Sequence, residues 1–230
     1  MQRGDQAEAA AIRANLLQVV AAFFTAPPTA AFLEALRDNP LAPVHAHPEV
    51  PLENLVQEFH DLFQVPTGAY VFPYESCYRG RSKDGKPGPL MGPATSQVQD
   101  LYRQAGFEVA AEAAELPDHA GVEFAMLQRF AQLEAEAWRA GDETAAQLWT
   151  NYQTALLGRH LVQWIPTLCG TIQQHSREPY FQEFATWICR LLGLLAERGS
   201  VDALIEALSA STSPSGPDRS ARTIPEQKRQ

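Results

Sequence analysis

Cysteine is scarce in this chain of 230 residues: Cys77, Cys169 and Cys189 are the only three, and they show no CxxC or other metal-ligand spacing. An odd, unpatterned set of thiols argues against a disulfide framework or a zinc module and suits a reducing cytoplasm. Long apolar runs are also missing. Stretches such as Val19 to Phe24 and Leu191 to Leu195 fall far short of the roughly 18 to 20 residues a membrane span needs. Asp5 and Glu8 at the start, with no basic cluster ahead of an unbroken apolar core, read as mature structure rather than a secretory signal. Cations are outnumbered, 18 Lys and Arg against 27 Asp and Glu. Four of those cations (Arg219, Arg222, Lys228 and Arg229) lie in the last twenty residues, which leaves residues 1–210 near -11. An acidic body repels phosphate backbones and attracts basic peptides, so nucleic acid is not an expected partner. Two further absences narrow the field: there is no Gly-rich phosphate loop and no GxSxG nucleophile elbow.

What the chain does have is helical periodicity. Ile12, Leu16, Val19, Val20 and Phe23 recur at three- and four-residue spacing, a helix that Pro27 and Pro28 end. Thr29 caps a short second helix. Leu52, Leu55, Val56, Phe59, Leu62 and Phe63 form the next stripe, which Pro66 and Gly68 break. From Val65 to Pro93 proline and glycine are dense and no period persists, a stretch too long for an ordinary connection. Val98, Leu101 and Tyr102 mark a helix closed by Gly106. Pro117 and Asp118 start another that ends at Gly141, and Asp142 caps a run towards Trp164, with a bend or restart at Pro166. Tyr180 to Leu195 and Val201 to Leu208 complete the set. No period-two strand appears, so the fold class is all-α: one helical domain over 1–210 with a long Pro/Gly-rich loop and a disordered tail over 211–230. Trp138, Trp149, Trp164 and Trp187 fall at helical spacings and read as core.

Two chemistries compete. His60 beside Asp61, His45 and His47 upstream, and His119 with Glu123 at i and i+4 could converge on a divalent ion, the signature of a helical metal-dependent hydrolase. Against it stand three longer segments: Leu62-Phe63-x-Val65-Pro66 followed by Pro73-Tyr74-Glu75-Ser76-x-Tyr78; Glu115-Leu116-Pro117-Asp118-His119-x-Gly121-x-Glu123; and His160-Leu161-x-x-Trp164 joined to Pro179-Tyr180-Phe181. In order and separation, together with Leu90-Met91-Gly92 and Tyr102 to Gly106, they resemble the TorD/DmsD family of redox-enzyme maturation chaperones and its NarJ-type relatives. The resemblance runs from about residue 12 to 208.

It implies a cytoplasmic all-helical protein with no catalytic activity and no cofactor of its own. Its partners would be the twin-arginine leader and apoprotein of a molybdopterin-dependent oxidoreductase. Carried over, the leader pocket would involve Pro73, Tyr74, Glu75 and Tyr78 in the long loop and Asp118 and His119 at a helix start. Pro117 directly precedes Asp118 here, whereas the family often places that proline one position earlier. The residues themselves agree: a cationic, partly apolar leader calls for carboxylates (Glu75, Asp118, Glu123) beside aromatic surface (Phe63, Tyr74, Tyr78). Asp118 has a plainer role open to it, as a helix N-cap, and a helical scaffold for another partner stays a third reading.

Overall fold

The computed structural model describes residues 3–39, 41, 50–66, 68–109, 115–197, 206 and 208. Nine α-helices are assigned among them: α1 (Arg3–Thr25), α2 (Ala30–Arg37), α3 (Leu52–Phe63), α4 (Glu75–Arg79), α5 (Pro93–Gln104), α6 (Ala120–Ala140), α7 (Glu143–Leu156), α8 (Val162–His175) and α9 (Pro179–Ala196). A π-helical turn, Leu157–Leu161, joins α7 to α8. The only β pairing among the described residues is an isolated antiparallel bridge, Tyr74 with His119. The chain is therefore all-α. The last expected helix, most of Val201 to Leu208, and the tail from Ser211 lie outside the described residues, as do His45 and His47.

α1 packs most extensively against α6. Alanines at 7, 9, 10 and 14 on α1 and at 131, 135 and 137 on α6 are buried and allow close approach. Length and composition alone would let α1 cross a bilayer, which its short contiguous runs did not suggest, because the interspersed alanines raise the mean hydropathy. Here 56% of that stretch is buried inside the protein, as in a core helix.

Aromatic rings fill the centre. Phe23 stacks on Phe184 with centroids 4.2 Å apart, and Phe63 meets Phe23, Phe24, Phe59 and Phe181 edge-on or tilted. Burying each such side chain is worth about 1.5 to 3 kcal/mol. Trp164 and Trp187 are buried, while Trp138 and Trp149 are half-buried.

Charged residues knit the helices where they leave the core. Glu134 of α6 accepts from Arg13 of α1 at 2.6 Å and from Gln153 of α7 at 2.7 Å. Glu58 of α3 accepts the Ser176 hydroxyl at 2.7 Å and the Glu178 N–H at 3.2 Å, which satisfies donors at the start of α9 that have no partner within that helix. Arg177 pairs with both Glu58 and Asp61.

Helix boundaries follow local chemistry in most places. Thr29 accepts from the Phe32 N–H, Asp142 accepts from the Ala145 N–H, and Gly141 ends α6 in the left-handed conformation at φ 76°. Pro166 does not restart the helix. It sits inside α8, whose first turn follows directly on the π turn.

Candidate functional site

The Pro/Gly-rich loop is fastened to the start of α6 by paired backbone groups. The Glu75 N–H donates to the Asp118 carbonyl at 2.9 Å, and the Ala120 N–H donates to the Pro73 carbonyl at 2.8 Å. Asp118 adds its side chain: Oδ2 accepts the Ser76 N–H at 2.9 Å, in the first turn of α4. The expectation that Asp118 caps α6 is corrected here. The cap is His119, whose Nδ1 accepts the Gly121 N–H at 3.1 Å. The bridge to Tyr74 turns the Asp118 side chain towards α4 instead, so it serves a helix start 42 residues away in sequence.

Because His119 Nδ1 accepts a backbone hydrogen, the neutral ring carries its proton on Nε2, which lies 3.9 Å from the Glu115 carboxylate. Burial lowers the His119 pKa, against the opposing pull of Glu115 and Asp118. Glu115 also accepts the Tyr74 hydroxyl at 2.6 Å. Burial, that hydrogen bond and the Glu115 charge all raise the phenol's pKa. Tyr74, Glu115 and Pro117 are half-buried and form the solvent edge of the cluster.

Beneath this rim lies an enclosed polar centre. Glu75 stands between Arg79, 2.8 Å from Oε1, and His160 Nδ1, 2.8 Å from Oε2. Glu123 accepts the Trp164 indole N–H at 3.3 Å. Burial is the main cause raising the Glu123 pKa well above the ordinary carboxylate range, followed by the nearby Glu75 and Asp118 charges. A protonated Glu123 beside Glu75 relieves like-charge repulsion among three carboxyl groups that are all fully buried. Tyr102 spans the space above and donates to the Pro117 carbonyl at 3.2 Å. Asp118 Oδ1 is buried and accepts from no donor among the described residues.

The structure thus brings Pro73, Tyr74, Glu75, Pro117, Asp118, His119 and Glu123 into one cluster, but most of them face inward. Glu75 and Glu123 are fully buried, His119 is 2% exposed, and Tyr78 is 9% exposed with its ring against Trp164 and the Arg81 guanidinium over it at 4.5 Å. Phe63 belongs to the aromatic core and stands apart from the cluster. An open groove lined by Phe63, Tyr78, Glu75 and Glu123 is therefore not what this geometry offers. Their short-range apolar and ionic partners have drawn them into the interior.

Sequence reading missed the partners that complete the cluster: Ser76, Tyr102, Glu115 and His160 as a ligand to Glu75. A signal existed for the last, since His160 and Trp164 at i and i+4 share a helical face.

Of the residues of the competing metal reading, His45 and His47 lie outside the described residues, and His60 and Asp61 have other partners. His60 pairs with Gln64 at 2.6 Å, and Asp61 with Gln57 and Arg177. Among the described residues no group of three or more His, Cys, Asp or Glu is disposed to hold a metal ion.

The family model described as nitrate reductase delta subunit matches residues 7–170, more than half of the chain and all of the cluster. No curated protein matches the chain.

Proposed function

The chain belongs to the nitrate reductase delta subunit family, the NarJ/TorD-type chaperones of molybdoenzyme maturation, and we propose that it serves its client by binding the twin-arginine leader and the apo form of the catalytic subunit before the cofactor is in place. The observation that carries this reading is Asp118 Oδ1, a buried carboxylate oxygen with no donor among the described residues, directly behind the half-buried rim of Tyr74, Glu115 and Pro117. A buried acceptor left without a donor costs about 1 to 3 kcal/mol. A guanidinium, with five N–H groups in a planar fork, is the leader group best shaped to supply one. Glu115 at the surface would meet the arginine first. Parting the Tyr74–Glu115 hydrogen bond would then open the way to Asp118.

The set of leader-contacting residues proposed is accordingly Tyr74, Glu115, Pro117, Asp118 and His119. Pro73, Glu75 and Glu123 hold the frame behind them. Acting before export places the protein in the cytoplasm, and the reading requires no catalytic step and no bound cofactor.

The test is titration calorimetry of the full chain with a peptide carrying paired arginines and an apolar stretch. Glu115→Gln and Asp118→Asn should each weaken binding by about 1.5 to 3 kcal/mol, the range for a hydrogen bond to a charged group. Their melting temperatures should stay close to the parent's, since asparagine can still accept the Ser76 N–H. Equal affinity in both variants and the parent would refute the reading.

A further inference from the structure

On a chain with net charge -9, one segment among the described residues is locally cationic. Between α4 and α5 the segment Arg79 to Met91 holds Arg79, Arg81, Lys83 and Lys86 against the single anion Asp84. Arg79 pairs with the buried Glu75 at 2.8 Å, and backbone geometry presents the other three outward. The Gly85 N–H donates to the Ser82 carbonyl and the Ser82 N–H to the Lys86 carbonyl, so the tip is a tight turn, with Gly85 at φ 81°. Arg81, Lys83 and Lys86 are exposed. Leu90 and Met91 follow at 49% and 72% exposure, two of the four large apolar side chains most open to solvent among the described residues. Met91 has a left-handed φ of 59°, unusual for a residue with a side chain.

Beside the base of this segment is an open cavity of about 500 Å³ between α4, α5 and the π turn. Arg79 and Arg159 line it, with the amides of Gln97, Gln104 and Gln163. Arg79 reaches the Arg159 carbonyl at 3.3 Å, so the two guanidinium-bearing residues are neighbours. The π turn directs the pair's surroundings: His160 is drawn inward to Glu75 while Arg159, one residue earlier, is exposed. Such turns inside α-helices are frequent at functional sites. Asp100, an acid in the wall, is paired with Arg103 at 3.0 Å.

We propose that this cationic face, from the Arg79–Arg159 cavity to the exposed Leu90 and Met91, docks an acidic and partly apolar segment of the molybdoenzyme subunit, distinct from its leader. The proposal rests on the reading of the chain as a maturation chaperone that acts with that subunit. Charge complementarity selects the occupant. A cationic leader is repelled here and drawn to Glu115 and Asp118, whereas a carboxylate gains from the exposed Arg81, Lys83, Lys86 and Arg159. The spread of cations beyond the cavity, and the apolar pair after them, suit an extended peptide more than a compact anion. The like charge that would keep a leader off this face lets both segments bind at once.

The experiment uses the full chain, a synthetic peptide of glutamates and leucines, and the same peptide with glutamine for glutamate. The acidic peptide should bind, and weaken at least about tenfold as salt rises from about 50 to 200 mM, since the contacts are solvent-exposed. In the triple variant Lys83→Gln, Lys86→Gln and Arg159→Gln, all exposed positions, it should also weaken at least about tenfold, with the melting temperature unchanged. A paired-arginine leader should bind parent and triple variant alike. Its failure to bind the parent while the acidic peptide still does would count against the leader reading and leave this one standing.

Equal binding of the glutamine peptide, or parent-like binding by the triple variant, overturns the proposal. So does binding of inorganic phosphate, or of phosphatidylglycerol vesicles, without binding of the acidic peptide.

Discussion

Glu123 shows how a single buried group ties the site to pH. Burial, Glu75 and Asp118 raise its pKa above the ordinary value of 4.5. An unfolded chain releases that proton as pH passes 4.5, while the folded chain keeps it. The stability it contributes is therefore full below that value and declines as pH rises towards the raised value of the folded state. Glutamine mimics the protonated side chain: its oxygen can accept from Trp164 and its amide can donate to Glu75. Glu123→Gln should thus melt close to the parent near pH 4 and progressively above it as pH rises, by several degrees at neutrality, each 1 kcal/mol being about 2 to 4 °C for a domain of this size. Melting curves across that range decide it; a gap that does not change with pH would show that Glu123 is not held protonated by the fold.

Among the described elements, the α1–α6 contact is the most extensive. A Cβ built on Gly121 would collide with the Thr25 methyl and lie 3.2 Å from His119 Nδ1. Gly121→Ala should therefore cost about 1 to 3 kcal/mol, the usual range for overpacking. Thr25→Ser removes the offending methyl and keeps the hydroxyl that bonds the Ala21 carbonyl at 3.0 Å. The double variant should recover most of the loss in a thermal melt, and an additive double loss would mean the strain lies elsewhere.

Such contacts also explain what the sequence could and could not tell. Long helices with one apolar stripe, and ends marked by Thr29, Gly141 or Asp142, were legible because their cause is local. The short α4 was not, since Glu75 to Arg79 owes its position to Asp118 and His160, partners far away in sequence. Asp118 was legible as a helix-start residue but not as one serving a different helix. The burial of Glu75 and Glu123 was hidden for the same reason: charge in a sequence reads as surface until its partner is found.

Taken as a whole, the molecule separates signs. Its acidic body carries the Asp118 cluster, while a locally cationic segment, Arg79 to Lys86, leads from α4 towards α5 with Arg159 beside it. That segment is cinched at its neck, where the Gly88 N–H donates to the Cys77 carbonyl at 2.9 Å. A Cβ on Gly88 would come within 2.7 Å of the Gly80 Cα and 2.6 Å of the Ser76 carbonyl oxygen.

A chain crossing itself this closely has a consequence for proteolysis. Trypsin can reach the exposed bonds after Arg81 and Lys83, but a cut there opens only the tip. Everything before it stays held through α4 and Asp118, and everything after it through the Gly88–Cys77 bond and α5. Limited digestion should therefore yield two pieces on a denaturing gel and one undivided species on size exclusion. Fragments that drift apart without denaturant would show that the neck does not hold.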